Sequence, residues 1–492
     1  MENSAYSDVH ISENFFKEPL ISEQQQAVMQ KIADIYKVHG TVHPLLVPPE
    51  TNLQGKGNLL STRIPKMQQI RQNILDYAQT QEGGGSDGDF ALHAQIGLMI
   101  GPTLDQILLS QFNDPDRTNK SWMEIDELNT QKLQQKVQSL LDEQTGRYQI
   151  FLDRYPDFRA ALRLLTGDIL TEKNPKKLDE LVKNFEMCAI RETQSGMSFV
   201  TLLGMSESWT LESDSGQLPH YRLLEPNLRI IMLLEPKRKL QLEDLYQNLY
   251  KLVANYYQSP KTDDGETSAP ALVAEIAVVS AGTEVLSQSV GEAFDSNGLV
   301  FLINQIKNRA SLEKVYEEIE HRGKFPDYSL HLLSIILLAH EAGHKSRQVK
   351  VAGLEELVPD MTTLLAGIDY IKASGPKEMQ EELLENFILH SLGEFIFQTQ
   401  DNDAEYRRSS YYILKTLMEQ GVLVYTDPHY ALDLSKLDSF HLKVQKDHAA
   451  LLREDDLAEN TPRTLAEQFL RLKLGDQIKP LVDRVMRGIE LK

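Results

Sequence analysis

The sequence predicts an α+β protein that is predominantly helical, with a small β-sheet beside the helices. Three observations predict it. Apolar residues recur at spacings of three and four along most of the 492 residues, the period of a helix with one face in a core. One middle stretch instead carries runs rich in Val, Ile, Leu and Tyr, at 199–205, 220–224 and 228–234, bounded by Ser, Gly and Pro as strands are. Hydrophobic residues make up 41% and charged residues 25%, a balance that lets a chain of this length bury a sizeable core.

In chain order, residues 24–36 (Val28, Met29, Ile32, Ile35, Tyr36) and 64–77 (Met67, Ile70, Ile74, Leu75) read as helices separated by a loop over 43–58. The glycine-rich run 81–89 is a turn or linker, because it lacks the lysine and the following Ser or Thr of a phosphate-binding loop. Helical patterns resume at 96–112, 130–152, 160–170 and 175–191, with Leu133, Val137, Leu140 and Leu141 facing inward. Trp209 is expected to pack between the first two strands, and a helix follows at 240–257. The polar run 259–268 is the clearest boundary. Beyond it, 271–280 reads as a strand, 299–306 as a strand or short helix, and 312–321, 364–373 and 379–397 as helices. The remainder is helical apart from 422–434, and no repeat or heptad is sustained. Three segments result: an N-terminal helical segment at 1–82, a mixed helical and β lobe at 90–258, and a mainly helical lobe at 270–492.

A net charge of −21 argues against nucleic acid or an anionic membrane as partner, since both need a basic footprint. The single cysteine, Cys188, cannot form an intrachain disulfide and sits in an apolar run as a small buried hydrophobe would. No basic stretch leads into an apolar core at the start of the sequence, so a reducing, cytoplasmic setting is expected.

The chemistry concentrates between Leu332 and Asp360. His340-Glu341-Ala342-Gly343-His344 is an HExxH pattern: residues four apart share a helix face, so two imidazoles can meet one metal ion. Glu341 lies one residue round, placed to take a proton from water that the metal acidifies. The apolar run Leu332–Ala339 buries this helix all round, and buried polar side chains need compensation, which a metal supplies. A catalytic zinc site takes a third protein ligand. The link from Lys345 to Gly353 lets a second helix fold back, so Glu356 can face the histidines, with Asp369 a weaker alternative. Asp360, one turn on, can accept the outward N–H of a ligand histidine, and Glu355 is a second candidate for that role. The metzincin pattern is excluded, because the link lacks its glycine and third histidine. His390, amid Phe387, Ile388, Leu389 and Leu392, reads as a core histidine.

Glu355-Glu356-Leu357-Val358-Pro359-Asp360 resembles the second zinc motif of the dipeptidyl peptidase III family of gluzincin metallopeptidases. The helix, glycine turn and Asp-containing strand at 412–421 and 430–437 are similar to those following the zinc site there; the resemblance spans about residues 280–474. It implies a two-lobed zincin-like fold with Zn2+ in the largely helical lobe, Glu356 as zinc ligand, and a peptide substrate. Three positions depart from the family. The histidines are one residue closer than in its best-known members, Pro359 replaces a helix-compatible residue, and Tyr406, before Arg407 and Arg408, stands where a transition-state histidine is expected. A tyrosine hydroxyl or an arginine can polarise a carbonyl in its stead. Pro359 also requires the second helix to begin at about Glu355 or Glu356, or to kink. The competing expectation is a non-catalytic interaction or scaffold protein that retains the fold.

Overall fold

Apolar periodicity becomes helix in both of the units into which the chain divides. In this computed structural model the residues described are 53–80, 88–114, 120–142, 146–174, 236–257, 305–320, 328–347, 349–351, 353–399, 404–426, 429–457 and 464–490, with short or isolated stretches outside them. One unit comprises Gln24–Leu234 and Val273–Lys307, and the other Met1–Glu23, Glu235–Leu272 and Asn308–Leu491. The expectations for 81–87, 175–191, 199–205, 259–268 and Cys188 fall wholly or mostly outside the described residues, as does most of 24–36.

In the first unit, α1 (Leu53–Ala78) packs along α2 (Asp89–Asn113), burying Ile70, Ile74 and Leu75. α1 starts inside the stretch expected to be a loop, with Gly55 and Gly57 in its first turns. A capping box of Ser121 and Glu124 starts α3 (Trp122–Ile125), and the Asp126 side chain caps α4 (Glu127–Leu141). The helix expected over 130–152 is two, because Gly146 at φ 153° breaks the chain before α5 (Arg147–Arg154). Pro156 opens α6 (Pro156–Leu164), which runs into a π-helical turn at Leu165–Ile169. Leu133, Val137 and Leu140 enter the core with Trp122, Phe151 and Phe158, while Leu141 is only partly buried.

The strands are short. β1 (Ser208–Trp209) pairs antiparallel with β2 (Tyr221–Arg222), so Trp209 belongs to a strand instead of lying between two. β3 (Leu228–Leu233) pairs antiparallel with β4 (Ile276–Ala281), Ile230 opposite Val279, and β4 pairs parallel with β5 (Leu302–Ile303).

The second unit is a helical assembly around the HExxH helix. α7 (Pro236–Tyr257), which the sequence grouped with the 90–258 lobe, packs on α9 (Ser329–Ser346) and α10 (Leu357–Ser374). Between α7 and α9 in the chain comes α8 (Gln305–Glu318), leading into β6 (Ile319–Glu320). α11 (Gln380–Gln398), α12 (Ala404–Glu419) and α13 (Leu437–Asp455) pack around α10. Gly421, at φ 74°, turns the chain from α12 into β7 (Leu423–Tyr425), which pairs antiparallel with β8 (Tyr430–Leu432); β8 pairs parallel with β6. α14 (Thr464–Leu470) and α15 (Lys479–Glu490) complete the unit. Among the described residues no helix is long and apolar enough to cross a membrane.

Candidate metal centre

α9 is buried along most of its length, with Leu332, Leu333, Ile335, Ile336, Leu338 and Ala339 in the core. It ends at Ser346, and Arg347 is already extended. α10 begins at Leu357 with Glu356 at its N-cap position. Pro359 is therefore the third residue of the helix, in the first turn, where a missing N–H breaks no intrahelical bond. The same proline explains the glycine of the motif: a Cβ on Gly343 would stand 3.0 Å from Pro359 Cα and 3.1 Å from its Cβ. A residue without a side chain lets the two helices approach.

That approach brings three ligand atoms together. His340 Nε2 lies 3.0 Å from His344 Nε2 and 3.3 Å from Glu356 Oε2, and His344 Nε2 lies 3.4 Å from the same oxygen. An ion bonded to nitrogen and oxygen at roughly 2.0–2.2 Å in tetrahedral geometry has its ligands about 3.3–3.6 Å apart, so this triangle fits such an ion with little adjustment. His340, His344 and Glu356 are also the group of His, Cys, Asp and Glu, among the described residues, whose ligand atoms converge within 4.8 Å.

Hydrogen bonding fixes the orientation. His340 Nδ1 is 2.9 Å from Asp360 Oδ1, and a carboxylate only accepts, so Nδ1 carries the hydrogen and Nε2 presents its lone pair to the triangle. Asp360, 3% exposed, is held in turn by Ser409 of α12, whose hydroxyl donates to Oδ2 at 2.5 Å. Glu356 Oε2 is buried and accepts no hydrogen bond. Three potential ligand atoms thus face one point, and a proton on an imidazole or a bound cation can offset the buried carboxylate.

The titration directions agree. Burial alone would lower the His340 pKa, but the Asp360 and Glu356 carboxylates outweigh it and hold the imidazole well above its ordinary value. Burial alone would raise Glu356; the two imidazoles draw it below the usual carboxylate range. Without metal the cluster retains a proton on the imidazole side, so a metal binds in competition with protons.

Glu341, next to His340 on α9, is half-buried and makes no hydrogen bond or ion pair with another described residue. Near it lies a residue that sequence reasoning missed. Tyr246 of α7 is fully buried, its hydroxyl lacks a hydrogen-bond partner, and burial followed by the charges of Tyr250 and Glu341 raises its pKa.

Of the two outer carboxylates proposed from spacing, Asp360 meets an imidazole. Glu355 instead accepts from the N–H of Gly353 at 2.7 Å and closes the turn before α10. Asp369 is engaged elsewhere, bonded to the Tyr256 hydroxyl and 3.1 Å from His441 Nε2. His390 is a satisfied core histidine, with Nε2 2.7 Å from Ser329 Oγ and Nδ1 2.7 Å from the carbonyl of Asn386. Tyr406 is half-buried on α12, one turn before Ser409.

No known protein family matches the sequence, and no curated protein does. A structure search finds DPP III from Caldithrix abyssi, 13% identical, with 96% of this chain and 94% of that chain covered at a TM-score of 0.45. A likeness of that size decides nothing about chemistry. The site's own geometry has to carry the functional reading.

Proposed function

We propose that this chain is a zinc-dependent hydrolase that cleaves peptide bonds. The triangle of His340 Nε2, His344 Nε2 and the buried Glu356 Oε2, with sides of 3.0–3.4 Å, carries the reading. Two imidazoles and one carboxylate are the donor set of catalytic zinc sites that keep a position open. Zinc held there would acidify water towards a pKa of about 7 and polarise a substrate carbonyl.

The remaining work falls to side chains. Asp360, steadied by Ser409, holds the His340 ring in the tautomer that offers Nε2. Glu341 takes the proton of the attacking water and returns it to the leaving amine as the carbon–nitrogen bond breaks, so one water is consumed and an acid and an amine result. Tyr406 or a neighbouring arginine steadies the carbonyl oxygen. The peptide substrate rests on the resemblance of 355–360 and 412–437 to the dipeptidyl peptidase III family, and a cytoplasmic setting on the single cysteine.

Elemental analysis of purified protein should give near-stoichiometric zinc, lost in His344→Ala. Glu341→Gln should keep the zinc and lose about 10²–10⁴-fold in peptide turnover. A wild type that holds zinc but stays inert across a broad peptide library would favour the scaffold reading.

A further inference from the structure

The sequence Arg453-Glu454-Asp455-Asp456 ends α13 with three acids, where the helix dipole disfavours negative charge. Something must compensate them, and the structure shows what does. Asp455 is 2% exposed; its Oδ1 accepts from the N–H groups of Lys350 at 2.7 Å and Val351 at 2.9 Å, and its Oδ2 from the Arg347 guanidinium at 2.9 Å. Arg347 also donates to Asp456 Oδ1 at 2.6 Å. Glu454 accepts from the N–H groups of Leu465 and Ala466 at 2.9 and 2.8 Å, fixing the start of α14. The last residue of α14, Leu470, then covers Gly353, so closely that a Cβ there would sit 2.5 Å from Leu470 Cδ2.

The Asp455, Asp456 and Leu470 contacts converge on one segment, the link Arg347–Glu356 that joins α9 to α10. Its N–H groups at 350 and 351 are tied to α13, the N–H at 353 to Glu355, and its left-handed Gly353, φ 86°, lies beneath α14. The two histidines need none of this, because α9 sets their spacing by itself. Glu356 is different: it stands where the link ends.

We infer that Asp455 is a positioning residue for the metal centre, clamping the link so that the Glu356 carboxylate meets the two imidazoles. Its partners are two backbone N–H groups and a guanidinium, so its bonds are charge-assisted and define the backbone path directly. The inference rests on the metal-binding reading above and deepens it. It places control of the third ligand on a helix that supplies no ligand.

The test measures zinc dissociation constants by chelator competition, together with the visible absorption of the cobalt(II)-loaded protein, which reports coordination geometry. Asp455→Asn keeps the shape and removes the charge; Asp455→Ala removes the clamp. Zinc affinity should weaken about 10-fold in the first and about 100-fold in the second, and the cobalt bands should shift. Val485→Ala in α15 serves as a destabilised control that should leave affinity and spectrum unchanged. Wild-type affinity and spectrum in both Asp455 variants would overturn the inference, however much stability they lose; if Asp455→Ala does not fold, Asp455→Asn decides alone. A wild-type protein that binds neither metal defeats the metal-binding reading itself, and the inference with it, before any substitution is made.

Discussion

Two helix pairs in this chain each bury a carboxylate, and they balance it differently. Between α1 and α2, Asp105 is fully buried and receives both arms of the Arg71 guanidinium, at 2.7 and 2.9 Å. Between α9 and α10, Glu356 is 5% exposed and faces two imidazoles, whose Nε2 atoms lie 3.3 and 3.4 Å from its Oε2. The first pair brings its own permanent cation, since arginine is always charged. Imidazoles are neutral at physiological pH unless something holds a proton on them. The first carboxylate carries a permanent cation; the second depends on a proton held by the imidazoles, a place that an ion could take. The contrast separates the HExxH helix from an ordinary polar helix contact.

The largest effects should come from breaking the closed pair. Arg71→Ala leaves Asp105 uncompensated in the core and should cost about 3–5 kcal/mol in denaturant unfolding. Replacing both partners, Arg71→Met with Asp105→Leu, should recover most of that loss, because two apolar side chains of similar volume avoid the desolvation of two charges. If the double variant is as unstable as the single one, the pair does more than neutralise itself.

At the metal centre the same carboxylate logic predicts a response to an added ion. With zinc at 1,000 times its dissociation constant, the wild type should gain about 4 kcal/mol, read as a rise in the thermal midpoint. Glu356→Ala should show little of that gain, whereas Arg71→Ala should retain it in full. Equal responses in wild type and Glu356→Ala would remove Glu356 from the ligand set.

Gly343→Ala probes the helix contact that lets Glu356 arrive. The added methyl meets the backbone of Pro359, which cannot rotate aside, so α10 must shift at a cost of about 1–3 kcal/mol. Gly101→Ala on α2 adds a methyl whose three nearest atoms belong to the Arg71 side chain, at 2.7–3.0 Å. It should disturb that ion pair and leave zinc affinity alone. Metal affinity measured in both variants distinguishes the two glycines.

Much of the centre was legible in the sequence because its determinants are local. Two histidines four apart share a face of any helix, and a link of ten residues leaves Glu356 and Asp360 few places to go. Pro359 put the start of α10 at about Glu355 or Glu356, close to the observed Leu357. Asp455, Ser409 and Tyr246 lie on other helices, so no spacing rule reaches them. The acids at the end of α13 were the available clue to Asp455, since they oppose the helix dipole. The break between Leu141 and Arg147 shows the reverse weakness: the polar run Asp142–Arg147 with Gly146 interrupts the apolar period, a signal that the expectation of one helix over 130–152 passed over. The predominantly helical class survives such errors because it depends on many segments at once.

Buried histidines extend the comparison to pH. Burial lowers His93 in the first unit to about 3, and His390 and His448 in the second to about 4 each. An unfolded histidine titrates near 6.5, so each folded pKa is depressed, and the unfolded chain binds more protons below that value. The stability they support is present above about pH 6.5 and falls by about 1.4 kcal/mol per pH unit for each histidine as acid is added, until the folded value is reached. His93 and His390 differ in what supports the ring at neutral pH. His93 Nε2 has no hydrogen-bond partner and its ring packs 4.6 Å from that of Phe158, whereas both nitrogens of His390 are bonded. His93→Leu should therefore cost little at pH 7, and His390→Leu about 1–3 kcal/mol, because Ser329 and the Asn386 carbonyl lose their partner. Each substitution should flatten the acid limb of the stability curve by one histidine's slope. An unchanged limb in His390→Leu would mean that this imidazole is already charged in the folded protein.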